Sequence, residues 1–275
     1  MPTIELITHR PTGGPARPRP LLFVHGAFCG GWIWDEHFLP WFAERGWTAH
    51  ALSLRGHGKS SGHEDLASHG LSDYVNDVLS VYDGMDTAPV LIGHSMGGMV
   101  VQRALVHRPA TPAAVLMASA PPTGLLESSL WMAWCHPIVF QQMALMNALG
   151  DTAVDPATIS RAMFSDAMPL DQAVRYMLMM QGESKRIVME IGGWIPFPVL
   201  PPRHIPILVL GAEADRLIPP DQVRATARLM GTEADIIPAI GHGMMLDPAW
   251  ESAAQRIEGW LERTLGTAAP ASKAA

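Results

Sequence analysis

One serine framed by glycines constrains this chain more than any other feature. In LIGHSMGGMV, residues 91–100, a short apolar run passes through Gly93-His94-Ser95-Met96-Gly97-Gly98 into a helix-like pattern. Glycine weakens the interior of a strand or helix by roughly 0.5–1 kcal/mol. Three glycines around one serine therefore point to a turn too tight for side chains. A strand-to-helix turn of the G-x-S-x-G type holds the serine in a strained backbone and lifts its hydroxyl above the carboxyl ends of the strands. It also aims the first amides of the following helix at the same spot, where developing negative charge is stabilised. Met96 supplies one such amide. Taken alone, the stretch supports only a turn with a serine in it.

The rest of the chain supplies the scaffold. Residues 3–9 read as a first strand and PTGGPARPRP as a Pro/Gly-rich loop, which leaves open whether residues 1–20 form one strand or two. Continuous apolar runs ending in small residues, as buried parallel strands show, occur in PLLFVHG, WTAHALSL, APVLIGHS, PAAVLMASA, IPILVLG and TEADIIPAI. Between them lie helix-like segments at WDEHFLPWFAERG and residues 71–83, where Ser72 or a neighbour would cap the start. MGGMVVQRALVHR is another, halted by Pro109, and PPDQVRATARLMG has proline at its start and glycine at its end. A last helix, PAWESAAQRIEGWLERTL, places Ile257, Trp260, Leu261 and Leu265 on one face, and the tail beyond it should fray. Alternating strands and helices predict an α/β fold, a mostly parallel sheet with helices on both faces. The alternation stops between about Pro121 and Pro202. That stretch, with its tryptophans and methionines, is expected to be an inserted helical cap (residues 121–202), with helices over residues 131–149 and 171–180. The core is then residues 1–120 and 203–268.

A serine hydroxyl needs a base. His242, in AIGHGMMLD, follows the strand ADIIPAI and is the best placed of the 12 histidines. His94 adjoins the serine but diverges from it, and His57 sits in an earlier loop that it could order. The base needs a carboxylate to hold its tautomer. Asp215 follows ILVLG, with Glu213 and Asp247 as rivals. The order Ser95, Asp215, His242 is that of the hydrolases built on such turns. The second oxyanion donor should come from the loop HGAFCGGW, with the Ala27 amide first and the Phe28 amide as alternative.

Composition narrows the partners. The 275 residues carry 19 Lys+Arg against 26 Asp+Glu, a net charge of −7, and no basic cluster, which argues against nucleic acid. No apolar run approaches the roughly 18 residues of a membrane span. MPTIELITHR lacks the apolar stretch of a secretory signal. Cys29 and Cys135 read as free thiols, so the expected location is the cytoplasm. No metal-ligand spacing such as HExxH appears, and neither a metal nor an organic cofactor is expected. The cap suggests an apolar pocket with adaptable walls. Trp131, Met132 and Trp134 are expected to line it from the cap, with Phe28 and Cys29 opposite. The expected partner is a small-molecule ester with a medium acyl chain or aromatic group; a homodimer is one allowed assembly.

His25-Gly26, Arg55-Gly56-His57-Gly58, Gly93 to Gly98, Asp215 and His242 together resemble the α/β-hydrolase superfamily over nearly the whole chain. HGAFCGGWIW and HGMMLDP are similar to the branch that holds plant methyl esterases, hydroxynitrile lyases and bacterial esterase relatives. The resemblance implies the α/β-hydrolase fold and a Ser-His-Asp hydrolase. The lyases carry a threonine after the first histidine and a lysine after the catalytic one. Here those positions are Gly26 and Gly243, so ester hydrolysis is favoured over cyanohydrin cleavage. Related dehalogenases and epoxide hydrolases carry aspartate where this chain has Ser95. Cofactor-free dioxygenases rely on the His-acid pair, and perhydrolases and non-haem haloperoxidases share the triad. Alternatives within the fold are a carbon–carbon bond hydrolase acting on a diketone and a slow-turnover ligand receptor.

Overall fold

A computed structural model of the chain describes residues 2–12, 15–149 and 154–266. Among the described residues seven strands form one sheet: β1 (Leu6–His9), β2 (Leu21–Val24), β3 (Ala49–Leu52), β4 (Val90–His94), β5 (Ala114–Met117), β6 (Ile207–Ala212) and β7 (Ala234–Ile237). Their order is β1-β3-β2-β4-β5-β6-β7. All neighbours run parallel except β1, which pairs antiparallel with β3, Leu6 opposite Leu52. Among the described residues one strand, β1, precedes β2. The described residues of the proline-rich stretch, 11–12 and 15–20, form no strand, because proline fixes φ and gives up a ladder donor.

Every residue of β2, β4 and β5 is buried. This is the consequence of helices covering both faces of a parallel sheet. Side chains alternate between two cores, as strand geometry requires. Phe23 points to the layer of Trp34, Phe38, Phe42, Ile257 and Leu261. Leu22 and Val24 point to the layer of Tyr74, Val78, Val101, Leu105, Val223 and Ala227. The helices of the first layer are α1 (Trp32–Asp35), α2 (Phe38–Glu44) and, at the far end of the chain, α11 (Trp250–Leu265). Those of the second are α3 (Leu71–Asp83), α4 (Met96–His107) and α10 (Pro220–Met230).

The single helix expected over residues 34–46 is broken at Glu36 and His37. Pro40 has no N–H for the carbonyl of Glu36, four residues back, so the chain restarts and places Pro40 in the first turn of α2. At α3 the cap is not Ser72; the Asp73 carboxylate accepts from the Gly70 amide at 2.9 Å.

Between β5 and β6 stand α5 (Leu126–Cys135), α6 (Pro137–Leu149), α7 (Pro156–Met163), α8 (Leu170–Leu178) and α9 (Lys185–Gly192). The expected helix 131–149 is split because His136 precedes a proline, which disfavours helical backbone; it adopts φ −135° and ψ 59°. Helices α7 and α9 carry their own start signals. Asp155 accepts from the amides of Ala157 and Thr158, and Ser184 from those of Arg186 and Ile187. No helix among the described residues is long and apolar enough to cross a membrane. The tail expected to fray, residues 266–275, lies outside the described residues except for Gly266.

Candidate active site

Ser95 sits between β4 and α4 with φ 53° and ψ −121°, a backbone state that costs an L-residue energy. The turn is sterically closed. A Cβ on Gly93 would strike the carbonyl of Gly97, and one on Gly97 the carbonyls of Val24 and His25. The Ser95 amide donates to Met117 O at 3.0 Å and its carbonyl accepts from Ala120 N at 2.9 Å. Both bonds anchor the strained residue to β5 and the segment after it. The sharp turn leaves the Met96 amide as the first of α4, where the helix dipole concentrates positive charge.

His242 and Asp215 meet in a buried pair, Nδ1 to Oδ2 at 2.7 Å. Asp215 follows β6, and its other oxygen accepts from the amides of Leu217 at 2.8 Å and Ile218 at 2.9 Å. Three donors therefore fix one carboxylate. The two rival acids are engaged elsewhere. Glu213 accepts from Ala239 N. Asp247, fully buried, accepts from Ser165 N, Ser165 Oγ and the amides of Gly241 and Ala249, which ties the His242 loop to the cap. His94 diverges from the serine, and its Nε2–H donates to the carbonyl of His242 at 2.9 Å. Burial first, and the neighbouring His242 second, push the His94 pKa well below the ordinary histidine value, so it is neutral.

The loop after β2 brings Ala27 to the same place. Among the described residues neither the Ala27 nor the Met96 amide donates to a protein group. The Phe28 amide, the other candidate, donates to Glu183 Oε2 at 3.2 Å and is not free. Phe28 is itself strained, with φ 65°. Glu183 and His94 were not singled out in the sequence as site partners. The signal for Glu183 was faint: an acid just before the serine that caps α9.

A cavity of about 250 Å³ opens over Ser95, lined by Ala27, Met96 and His242 on the sheet side. Cap residues Met132, Met143, Met146 and Met163 form much of its roof. Phe28, Cys29 and Met132 line it. Trp131 and Trp134 do not. On α5, Met132 faces inward, so Trp134, two residues on, points away and is 88% exposed. Trp131 packs against the satellite cluster of Met132, Val139 and Ala162, with its ring 5.0 Å from that of His136. Burial raises the Cys29 thiol to about 12, with Glu183 adding to the shift, so Cys29 is an inert wall. Cys135 is exposed, and both cysteines are free.

The two glycines that replace the lyase side chains have no room for them. A Cβ on Gly26 would stand 2.9 Å from His94 Nδ1 and 3.0 Å from Ser95 Cβ. One on Gly243 would stand 2.8 Å from the Phe164 ring of the cap.

The alpha/beta hydrolase family model matches residues 21–254, which span six of the seven described strands and the candidate residues Ser95, Asp215 and His242. The chain belongs to the alpha/beta hydrolase family. It is 35% identical over 121 residues to a non-heme chloroperoxidase of Burkholderia pyrrocinia; the match covers 42% of each chain, so it spans less than half of that relative's length. It is 24% identical over 255 residues to an uncharacterized carboxylesterase, nap, of Bacillus subtilis (strain 168), covering 87% of this chain and 78% of the relative. The solved structure of a thermophilic esterase from Thermogutta terrifontis shares the fold, with TM-score 0.66 at 18% identity over 95% of this chain and 93% of that one.

Proposed function

We propose that the chain is a carboxylic ester hydrolase acting through an acyl-enzyme on Ser95. The reading rests above all on the 2.7 Å bond between His242 and Asp215, set beside a strained serine over an apolar cavity. In this mechanism Ser95 Oγ attacks the ester carbonyl as His242 Nε2 takes its proton. Asp215 holds the Nδ1–H tautomer and stabilises the imidazolium. The amides of Ala27 and Met96 receive the oxyanion. His242 returns the proton to the departing alkoxide, and water deacylates Ser95 by the reverse route. The carboxylesterase relative is consistent with this chemistry.

The cavity lies just under the 300–1,000 Å³ range common for ligand pockets, and its wall is largely methionine and aliphatic. A medium acyl chain or a single aromatic ring suits it; a charged substrate would be desolvated without a partner. The test is a screen of p-nitrophenyl esters of graded acyl length with Ser95→Ala as control. The account expects activity to peak at medium length and to vanish in the variant.

The chloroperoxidase relative favours a second reading of the same site. Hydrogen peroxide in place of water at the acyl-enzyme would release a peracid. Peracid formation from a carboxylic acid and peroxide, measured beside ester hydrolysis, separates the two.

A further inference from the structure

A carboxylate from the cap lies buried beneath the oxyanion loop. Glu183 belongs to the segment between α8 and α9, and its side chain is fully buried. Four donors converge on it. His57 Nε2 and the Phe28 amide reach Oε2 at 3.1 and 3.2 Å, while Tyr74 OH and the Ser184 amide reach Oε1 at 2.7 and 2.6 Å. His57 Nδ1 also donates, to Arg55 O at 3.1 Å. Burial opposes charge on both partners of the pair. Their mutual attraction and hydrogen bonds outweigh it, holding His57 above its ordinary value and Glu183 below. Next to this ion pair His25 is neutral; it accepts from Leu54 N at 3.0 Å and donates through Nδ1 to Gly26 O at 2.8 Å.

These contacts pin successive peptide units of the loop. His25 holds the carbonyl of the Gly26–Ala27 peptide, the unit whose N–H is that of Ala27. Glu183 holds the N–H of the Ala27–Phe28 peptide. Gln181 N donates to Phe28 O at 2.9 Å, and the Gln181 side chain bridges Gly56 O and Gly58 N of the His57 loop. The outcome is a positive φ at Phe28, which a non-glycine residue keeps only where its surroundings enforce it.

We propose that Glu183 is the positioning residue of the oxyanion hole. By occupying the Phe28 amide from behind, it turns the Ala27–Phe28 peptide away from the cavity and leaves the Ala27 amide as the donor facing the substrate. The cap is then part of the catalytic scaffold as well as the roof of the pocket. The inference rests on the ester-hydrolase reading above. It adds that transition-state binding depends on a cap residue that touches no substrate.

The test compares the wild type with Glu183→Gln, Glu183→Ala and the milder Tyr74→Phe. Each is assayed per active site titrated to completion with a fluorophosphonate. An amide keeps one acceptor oxygen for Phe28 but loses the charge, so Glu183→Gln should lower kcat about 10-fold and Glu183→Ala about 100-fold, the scale of a lost oxyanion donor. KM should stay within about twofold, and Tyr74→Phe should lose only a few-fold. The Ki of a boronic acid, which forms a tetrahedral adduct on the serine, should rise by the same factor as kcat/KM falls. A structural role alone would shrink the titratable fraction and leave kcat per site intact. Folded Glu183→Gln with wild-type kcat and boronate affinity overturns the proposal. Should Glu183→Ala not fold, Glu183→Gln and Tyr74→Phe decide. Hydrolysis that survives Ser95→Ala would instead overturn the ester-hydrolase reading.

Discussion

His94 donates its Nε2–H to the backbone carbonyl of His242, and the two rings stand 4.7 Å apart. His94, beside the proposed nucleophile Ser95, thus fixes the main chain of the proposed base His242. Replacing His94 by Phe removes that donor and leaves Met244 N as the remaining partner of the carbonyl. A buried hydrogen bond of this kind is worth about 1 kcal/mol net, and more when an acceptor is left short. We expect His94→Phe to lose about 1–2 kcal/mol of stability in urea and to lower kcat several-fold. Unchanged values in both assays would contradict the contact.

Asp215→Asn keeps size and the bonds from Leu217 and Ile218 but favours the wrong tautomer of His242. A loss in kcat of about 10³–10⁴ at constant fold is expected, by analogy with serine triads in general. Circular dichroism and kinetics on the same preparation check it. Glu213→Gln, whose side chain serves Ala239, should leave kcat near wild type.

Acid should destabilise the chain through buried neutral histidines. Burial, then His57, pushes His25 from 6.5 down to about 3, and burial, then His242, lowers His94 well below 6.5. The unfolded chain binds these protons below pH 6.5 while the native chain does not, so stability falls as pH drops through that region. His25 alone accounts for about 2 kcal/mol by pH 5. The His57–Glu183 pair has the opposite windows. The raised His57 contributes fully below 6.5 and is lost as pH rises through its native value; the lowered Glu183 contributes above 4.5 and is lost in stronger acid. Between pH 5 and 6.5 the pair is constant and does not mask the histidine effect. The urea midpoint should fall between pH 6.5 and pH 5 with unchanged slope; a flat midpoint would contradict it.

The two cap side chains once expected beside each other in the pocket make a clean contrast. Met132 lines the cavity and is buried, whereas Trp134 is on the outer side of α5. Met132→Ala should shift the preferred acyl chain to greater length and cost about 2–3 kcal/mol of stability. Trp134→Ala should leave the acyl profile unchanged and stability within about 0.5 kcal/mol. Acyl-length profiles of the two variants check both.

The core was legible because parallel strands and their helices write themselves into sequence as apolar runs and capped periodic segments. Gly93, Gly97, Asp215 and His242 were legible because a tight turn and strand-end loops restrict residue type. The cap was not. Helices α5 and α6 are apolar on nearly all sides, so no stripe marks their inner face, and Met132 could not be separated from Trp134. Glu183 was hidden for another reason. Its partners His57, Tyr74 and Phe28 come from three distant segments, and only the folded chain brings a cap carboxylate under the loop after β2.

The central claim is that Ser95 forms the acyl-enzyme. Intact-mass and peptide mass spectrometry after rapid mixing with a slowly deacylating p-nitrophenyl ester tests it most directly. The account expects one acyl group per chain, on the peptide containing Ser95, formed at the rate of the p-nitrophenol burst and absent in Ser95→Ala. Steady turnover with no adduct on that peptide, or an adduct and full hydrolysis in Ser95→Ala, would contradict it.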